Sequence, residues 1–144
     1  MKSLRTLRLA SASLAVVGSF LPWEQQGDPF PYQTYGIKLL PMVNDNGGVL
    51  VVLLSLMIVL LAFQPPKFIK NPSLWNLIIS VLLMAASLLF IVRWLAHRYG
   101  SAGIIGAAQL DIGLIGVVVG SALLLWIAII NYSRLIIRQT KSTS

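Results

Sequence analysis

The side chains that most often carry chemistry are scarce in this chain. Its 144 residues include a single histidine, no cysteine and four carboxylates, which are Glu24, Asp28, Asp45 and Asp111. Only Glu24 and Asp28 have the i, i+4 spacing that brings two ligands to one ion on a helix, and the prolines at positions 22 and 29 disfavour a helix there. We therefore predict no metal site and no cofactor, and the absence of cysteine excludes disulfides and thiol catalysis.

The one histidine, His97, follows an apolar run and lies between Ala96 and Arg98. A haem or chlorin ligand would instead lie inside such a run, so we interpret His97 as an interfacial side chain. One histidine in this position supports no Ser-His-Asp arrangement. The glycines at positions 103, 106, 113 and 116 lack the lysine of a phosphate-binding loop. We predict that the protein is not an enzyme.

Three charged residues are candidate contacts for lipid headgroups or for one another. They are Arg93 and Arg98, at the end of the third apolar run, and Asp111, near the start of the fourth. Charges inside a membrane are costly and are functional candidates by default. We favour a simpler interpretation over a functional charge inside the membrane: Arg93 extends to the headgroups, or it pairs with Asp111 or a loop carboxylate.

The composition indicates which elements must carry these residues. Hydrophobic residues make up 57% of the chain and charged residues 10%, which is typical of membrane proteins rather than soluble domains. The net charge of +7 does not indicate nucleic-acid binding, because the basic residues flank the apolar runs instead of forming one face.

Four apolar runs predict an all-α integral membrane protein, a four-helix bundle forming one domain over residues 1–144. The spans cover about residues 4–22, 47–64, 73–95 and 108–133, and each is close to the ~20 residues that cross a bilayer as a helix. The basic start followed by 15 uncharged residues also fits a cleaved signal peptide, but we interpret it as the first span.

The distribution of lysine and arginine predicts the orientation of these spans. The N-terminal segment carries three, the 64–73 connection two and the C-terminal tail three, whereas the other two connections carry Lys38, Arg93, Arg98 and all four acids. Because basic residues are in excess on the cytoplasmic side, we predict that both termini are cytoplasmic. The long first connection, residues 22–46, is then extracytoplasmic.

Small residues predict where the helices pack together. They recur at helical spacing in the first span, as Ser11, Ala15 and Ser19, and in the fourth, as Gly113, Gly116 and Gly120. Small side chains let helix backbones approach closely, and in lipid this packing replaces the hydrophobic attraction between helices.

The 22–46 loop is a candidate docking surface for other integral-membrane subunits. Its aromatic residues, Trp23, Phe30, Tyr32 and Tyr35, alternate with four prolines. A connection this long is usually functional or disordered. The alternative is a loop folded onto its own bundle, with its aromatic residues at the membrane interface.

Two short motifs in the first 60 residues resemble small four-span bacterial membrane proteins. Gly18-Ser19-Phe20-Leu21-Pro22-Trp23 ends the first span, and Asn44-Asp45-Asn46-Gly47 opens the second. The resemblance implies four spans in a bacterial inner membrane, and it implies no activity.

Taken together, these features predict a non-catalytic accessory subunit of a larger integral-membrane complex, in contact with lipids and not with nucleic acid. A bacterial respiratory or photosynthetic electron-transfer complex is the class considered first. One alternative is a protein that binds a quinone, pigment or lipid in a cleft near Arg93, Trp94 and Trp126. The other is a homo-oligomeric transporter.

Overall fold

A computed structural model covers the chain and describes residues 2–26, 32–35, 47–65, 67, 69–100, 109–110 and 112–142. The four predicted helices are confirmed. They are α1 (Lys2–Phe20), α2 (Gly47–Phe63), α3 (Pro72–Gly100) and α4 (Ile112–Ser142).

Proline residues mark several of the helix ends. Leu21 and Pro22 follow α1, Pro65 follows α2, and Pro72 is the first residue of α3. The N–H group at the first position of a helix has no acceptor within the helix, so a proline there costs no hydrogen bond. The helices α3 and α4 extend beyond the predicted spans, which end at residues 95 and 133. Residues 134–142 contain neither glycine nor proline, so nothing in the local sequence stops α4 there.

The four helices form an antiparallel ring. Each helix packs against the next one in sequence, and α4 closes the ring by packing against α1. Gly18, near the end of α1, lies against Gly113, near the start of α4, and Gly47 at the start of α2 lies against Phe90 late in α3. Both chain ends therefore lie at the same end of the bundle, which we call the terminal end.

A small antiparallel sheet lies at the opposite end, which we call the sheet end. It comprises β1 (Pro22–Gln26), β2 (Tyr32–Tyr35) and β3 (Gln109–Leu110), in the order β2-β1-β3. Glu24 pairs with Thr34 on one side and with Leu110 on the other. Residues 22–46 are predicted as a long connecting loop with no assigned strands, and the structure differs by placing two strands, β1 and β2, in its described part. The strand β1 also contacts α4 and α1.

The exterior of the bundle is apolar, as is the core that Ile58 and Leu83 help to form. Among the described residues, 29 large hydrophobic side chains are exposed, and Leu89 and Trp126 are 67% and 66% exposed. Seven polar side chains are buried, six of them serines. The described residues include two helices, α3 and α4, that are long and apolar enough to cross a membrane, and only 28% and 44% of their apolar stretches are buried.

The buried serines are mostly satisfied by their own helices. Ser11, Ser19 and Ser80 each donate a hydrogen bond to the carbonyl oxygen four residues earlier, at 2.7–2.9 Å. Such bonds let a hydroxyl group lie in an apolar interior without a partner from another helix. Ser55 of α2 differs, because its fully buried hydroxyl group has no hydrogen-bond partner among the described residues.

Ser87 and Ser121 join α3 to α4. Their hydroxyl oxygens lie 2.8 Å apart, and each is also within 2.8 Å of a carbonyl oxygen of its own helix, Leu83 for Ser87 and Val117 for Ser121. Two hydroxyl groups have two protons for these three contacts. One serine therefore donates to its own helix while the other donates across the interface.

Ser121→Ala and Ser55→Ala should separate a serine that bonds across an interface from one that does not. We expect Ser121→Ala to lower the free energy of unfolding by about 0.6 kcal/mol, the average for a hydrogen bond between helices in a membrane. Ser55→Ala removes an unpartnered hydroxyl group and should cost nothing or stabilise the protein. Equilibrium unfolding in mixed micelles measures both, and equal losses would contradict this assignment.

Candidate functional site

The backbones of α1 and α4 come close together at Gly18. A methyl group added at Gly18 would lie 2.7 Å from the carbonyl oxygen of Gly113 and 2.9 Å from the backbone nitrogen of Val117. Both atoms belong to the backbone and cannot rotate away. Position 18 therefore accepts only glycine without a shift of one helix against the other.

The six residues predicted to pack helices lie along this same contact. Ser11, Ala15 and Ser19 are buried, and Gly113 provides the carbonyl oxygen that faces Gly18. A methyl group at Gly120 would lie 2.8 Å from both the nitrogen of Ala15 and the carbonyl oxygen of Ser11. The contact is looser at Gly116, where the nearest atom would be 3.6 Å away. We call this contact the α1–α4 seam.

Gly18 itself is absent from the predicted packing residues. The sequence does contain a signal for it, because Gly18 is three residues from Ala15 and lies beside Ser19 on the small-residue face of α1. Gly18 also begins the motif that ends the first span, and its packing role was not predicted from the sequence.

A cavity of about 370 Å³ opens at the terminal end of the bundle, and all four helices line it. Its apolar wall includes Leu4 of α1, Leu61 and Ala62 of α2, and Ala128 and Leu135 of α4. Leu61 and Ala128 are buried, so this wall reaches into the core. The prolines at positions 65 and 72 complete the wall where α2 gives way to α3.

Three guanidinium groups line the same cavity, those of Arg5, Arg8 and Arg134. Arg5 and Arg8 are three residues apart and so share one side of α1, while Arg134 belongs to α4. Arg5 also lies over the ring of Phe63, 5.9 Å from its centroid, within the range of a cation–π contact between α1 and α2. The described lining contains no carboxylate.

Uncharged polar groups complete the lining: Ser73, Asn76 and Asn131. Asn76 is only 6% exposed, and its side-chain oxygen Oδ1 has no hydrogen-bond partner among the described residues. The hydroxyl group of Ser80 reaches Asn76 at 2.7 Å but donates to the backbone carbonyl oxygen and not to the side chain. A buried amide oxygen without a donor is uncommon and calls for an explanation.

The sequence analysis did not single out this cavity, and it placed a candidate cleft near Arg93, Trp94 and Trp126. Ser87 and Ser121 lie at the same level of α3 and α4. Arg93 is six residues beyond Ser87, and Trp126 is five beyond Ser121. Because the two helices run in opposite directions, these residues are separated by about 16 Å along the bundle. Arg93 and Trp126 therefore do not line one cleft.

The remaining candidate residues lie at or near the sheet end. Trp23 belongs to β1, Tyr32 and Tyr35 are the first and last residues of β2, and His97 and Arg98 lie in the last turns of α3. Phe30 and Asp111 lie outside the described residues. The structure therefore tests neither a pairing of Arg93 or Arg98 with Asp111 nor a docking surface that includes Phe30.

Comparison of the chain with known protein families, curated proteins and solved structures finds no match in any of the three. The resemblance to small four-span bacterial membrane proteins stays a prediction.

The α1–α4 seam predicts different outcomes for two glycine-to-alanine changes. Gly18→Ala places a methyl group against the backbone of α4 and should lower the free energy of unfolding by about 1–3 kcal/mol. Gly116→Ala meets no atom closer than 3.6 Å, and it should be neutral or stabilise the protein by up to ~1 kcal/mol through helix propensity. Thermal unfolding in detergent checks both variants. A larger loss for Gly116→Ala than for Gly18→Ala would contradict the seam geometry.

Proposed function

We propose that this protein is a four-span integral membrane protein of the bacterial inner membrane. The observation that carries the proposal is the apolar exterior of the bundle, where 29 large hydrophobic side chains of the described residues are exposed. The largest apolar patch on a soluble monomer usually covers only about 300–600 Å², so an exterior with this many exposed apolar side chains is unusual for such a protein. Because the apolar stretches of α3 and α4 are mostly exposed, these helices do not resemble the buried core helices of a soluble protein.

The other two helices are shorter, and their lengths come close to the thickness of the same layer. At ~1.5 Å per residue, the 19 residues of α1 and the 17 of α2 extend about 28 Å and 26 Å. The hydrocarbon core is ~30 Å thick. Arg5 and Arg8 lie in the first two turns of α1, where long basic side chains can reach the headgroups.

The charge distribution supports an orientation with both termini in the cytoplasm. Eight of the 11 basic residues belong to the segments of the terminal end, which are the start of α1, the 64–73 connection and the end of α4. Of the four acidic residues, the structure describes Glu24, which lies in β1 at the sheet end. The excess of basic residues favours the cytoplasm, so the sheet lies on the outer side.

Within this orientation, the role that we propose is that of a non-catalytic accessory subunit in a larger membrane complex. The buried hydroxyl groups are used for helix packing, and the exposed apolar faces of α3 and α4 present large side chains such as Leu89 and Trp126. The sheet adds an outer surface that includes Trp23, Tyr32 and Tyr35 by position. An electron-transfer complex remains the partner class considered first, by analogy with the small helical subunits of such assemblies.

Single-cysteine labelling tests the orientation, since the native chain has no cysteine. In intact spheroplasts, we expect a membrane-impermeant maleimide to label Gln25→Cys in β1. Lys67→Cys, between α2 and α3, should react only after permeabilisation. Labelling of Lys67→Cys in intact spheroplasts would overturn the orientation.

Purification in a mild detergent followed by native mass spectrometry tests the accessory role. We expect large integral-membrane subunits at fixed stoichiometry, and we expect them to dissociate when Tyr32 and Tyr35 are both changed to Ala. Gln33→Ala, in the same strand, is the matched control. A monodisperse homo-oligomer without other subunits would refute the accessory role, and unchanged association of the double variant would remove β2 from the interface.

A further inference from the structure

We propose that the cavity at the terminal end is a binding site for a phosphate group that carries a hydroxylated substituent, supplied by the headgroup of an anionic phospholipid. The lipid source rests on the membrane orientation proposed above. The phosphate chemistry rests on the cavity alone, on its three arginines, its buried amide and its volume.

The charge of the cavity defines the first requirement for a ligand. Arg5 and Arg8 approach from α1 and Arg134 from α4, so three cations surround one space. The described lining of the cavity contains no carboxylate to compensate them. Guanidinium groups bind phosphate oxygens through paired, charge-assisted hydrogen bonds. The ligand is therefore an anion with several oxygen atoms.

Asn76 supplies the second requirement, and it is independent of charge. Its amide oxygen is a hydrogen-bond acceptor without a donor, on a side chain that is 94% buried and lines the cavity. The phosphodiester group of a phospholipid has no proton to offer this oxygen. A hydroxyl group next to the phosphate, as in phosphoglycerol, donates to Asn76 while the phosphate contacts the arginines.

The size and the apolar wall favour a headgroup over a small ion. A cavity of about 370 Å³ has the volume of roughly twelve waters at ~30 Å³ each, and phosphoglycerol contains about ten non-hydrogen atoms. Leu61 and Ala62 form part of the wall. Leu60 and Phe63 of the same helical turns are exposed, so the apolar surface continues from the cavity to the exterior, where the acyl chains of a lipid lie.

The location at the terminal end also agrees with this ligand. In the proposed orientation the cavity faces the cytoplasmic leaflet, which is rich in anionic lipids, and basic pockets between helices on that side bind anionic headgroups. The ammonium group of a zwitterionic headgroup is repelled by the three guanidinium groups. The site therefore discriminates phosphatidylglycerol from phosphatidylethanolamine and phosphatidylcholine.

Native mass spectrometry of the delipidated full-length protein in detergent tests the proposal. The probes are phosphatidylglycerol, phosphatidylcholine, glycerol phosphate and inorganic phosphate, each added separately. We expect one phosphatidylglycerol per chain, with a Kd at least about 10-fold lower than that of phosphatidylcholine. Glycerol phosphate should compete for the same site. If the soluble phosphates bind and the lipid does not, the lipid source is wrong, and if no probe binds, the whole proposal is wrong.

Charge variants locate the binding. Arg8→Gln and Arg134→Gln should each raise the Kd for phosphatidylglycerol about 10-fold. Lys67→Gln should leave it unchanged, because Lys67 is exposed at the same end and does not line the cavity. Arg8→Lys keeps the charge but loses the planar fork, so it should weaken binding by less than Arg8→Gln. Equal effects of Lys67→Gln and Arg134→Gln would overturn the site.

Asn76→Ala distinguishes ligand binding from a structural role, because it removes the unpartnered oxygen. We expect the lipid-free protein to keep its melting temperature or gain stability, while its affinity for phosphatidylglycerol and glycerol phosphate falls. Lost stability with unchanged affinity would show that Asn76 serves the fold. These measurements are independent of the labelling and subunit experiments, so the binding site and the proposed function can fail separately.

Discussion

The arrangement of this bundle depends on the contact between the backbones of α1 and α4 at Gly18. These are the first and last helices of the chain, and their contact closes the ring that α2 and α3 complete. The contact tolerates no side chain at position 18, where a methyl group would lie 2.7 Å from the carbonyl oxygen of Gly113. It therefore fixes both the spacing and the relative height of the two helices.

That relative height also determines what meets at the terminal end. Gly120 lies against Ser11 and Ala15, and the same register continued by two turns brings Arg5 and Arg8 beside Ala128 and Asn131 of α4. The small residues end at Ser11, and the cavity opens beyond them. Close packing at one end of the seam and an open, basic cavity at the other are thus two consequences of one helix alignment.

The two ends of the bundle differ in chemistry as well as in shape. The sheet end carries three strands, whereas the terminal end carries most of the basic residues and the cavity. Between them, the interior combines a hydrophobic core with buried serines that mostly bond to their own helices and with the Ser87–Ser121 pair. Such an interior supports helix packing.

The sequence by itself determines the four helices, because uncharged apolar runs bounded by prolines and basic residues leave few alternatives. The helical spacing of Ser11, Ala15 and Ser19, and of the glycines in α4, is also visible without a structure. Which two helices face each other, and at what register, is decided only by the tertiary structure. The pairing of Glu24 with Leu110 joins segments more than 80 residues apart, and the cavity gathers side chains from four helices. No local pattern records such contacts, since they depend on how whole helices pack.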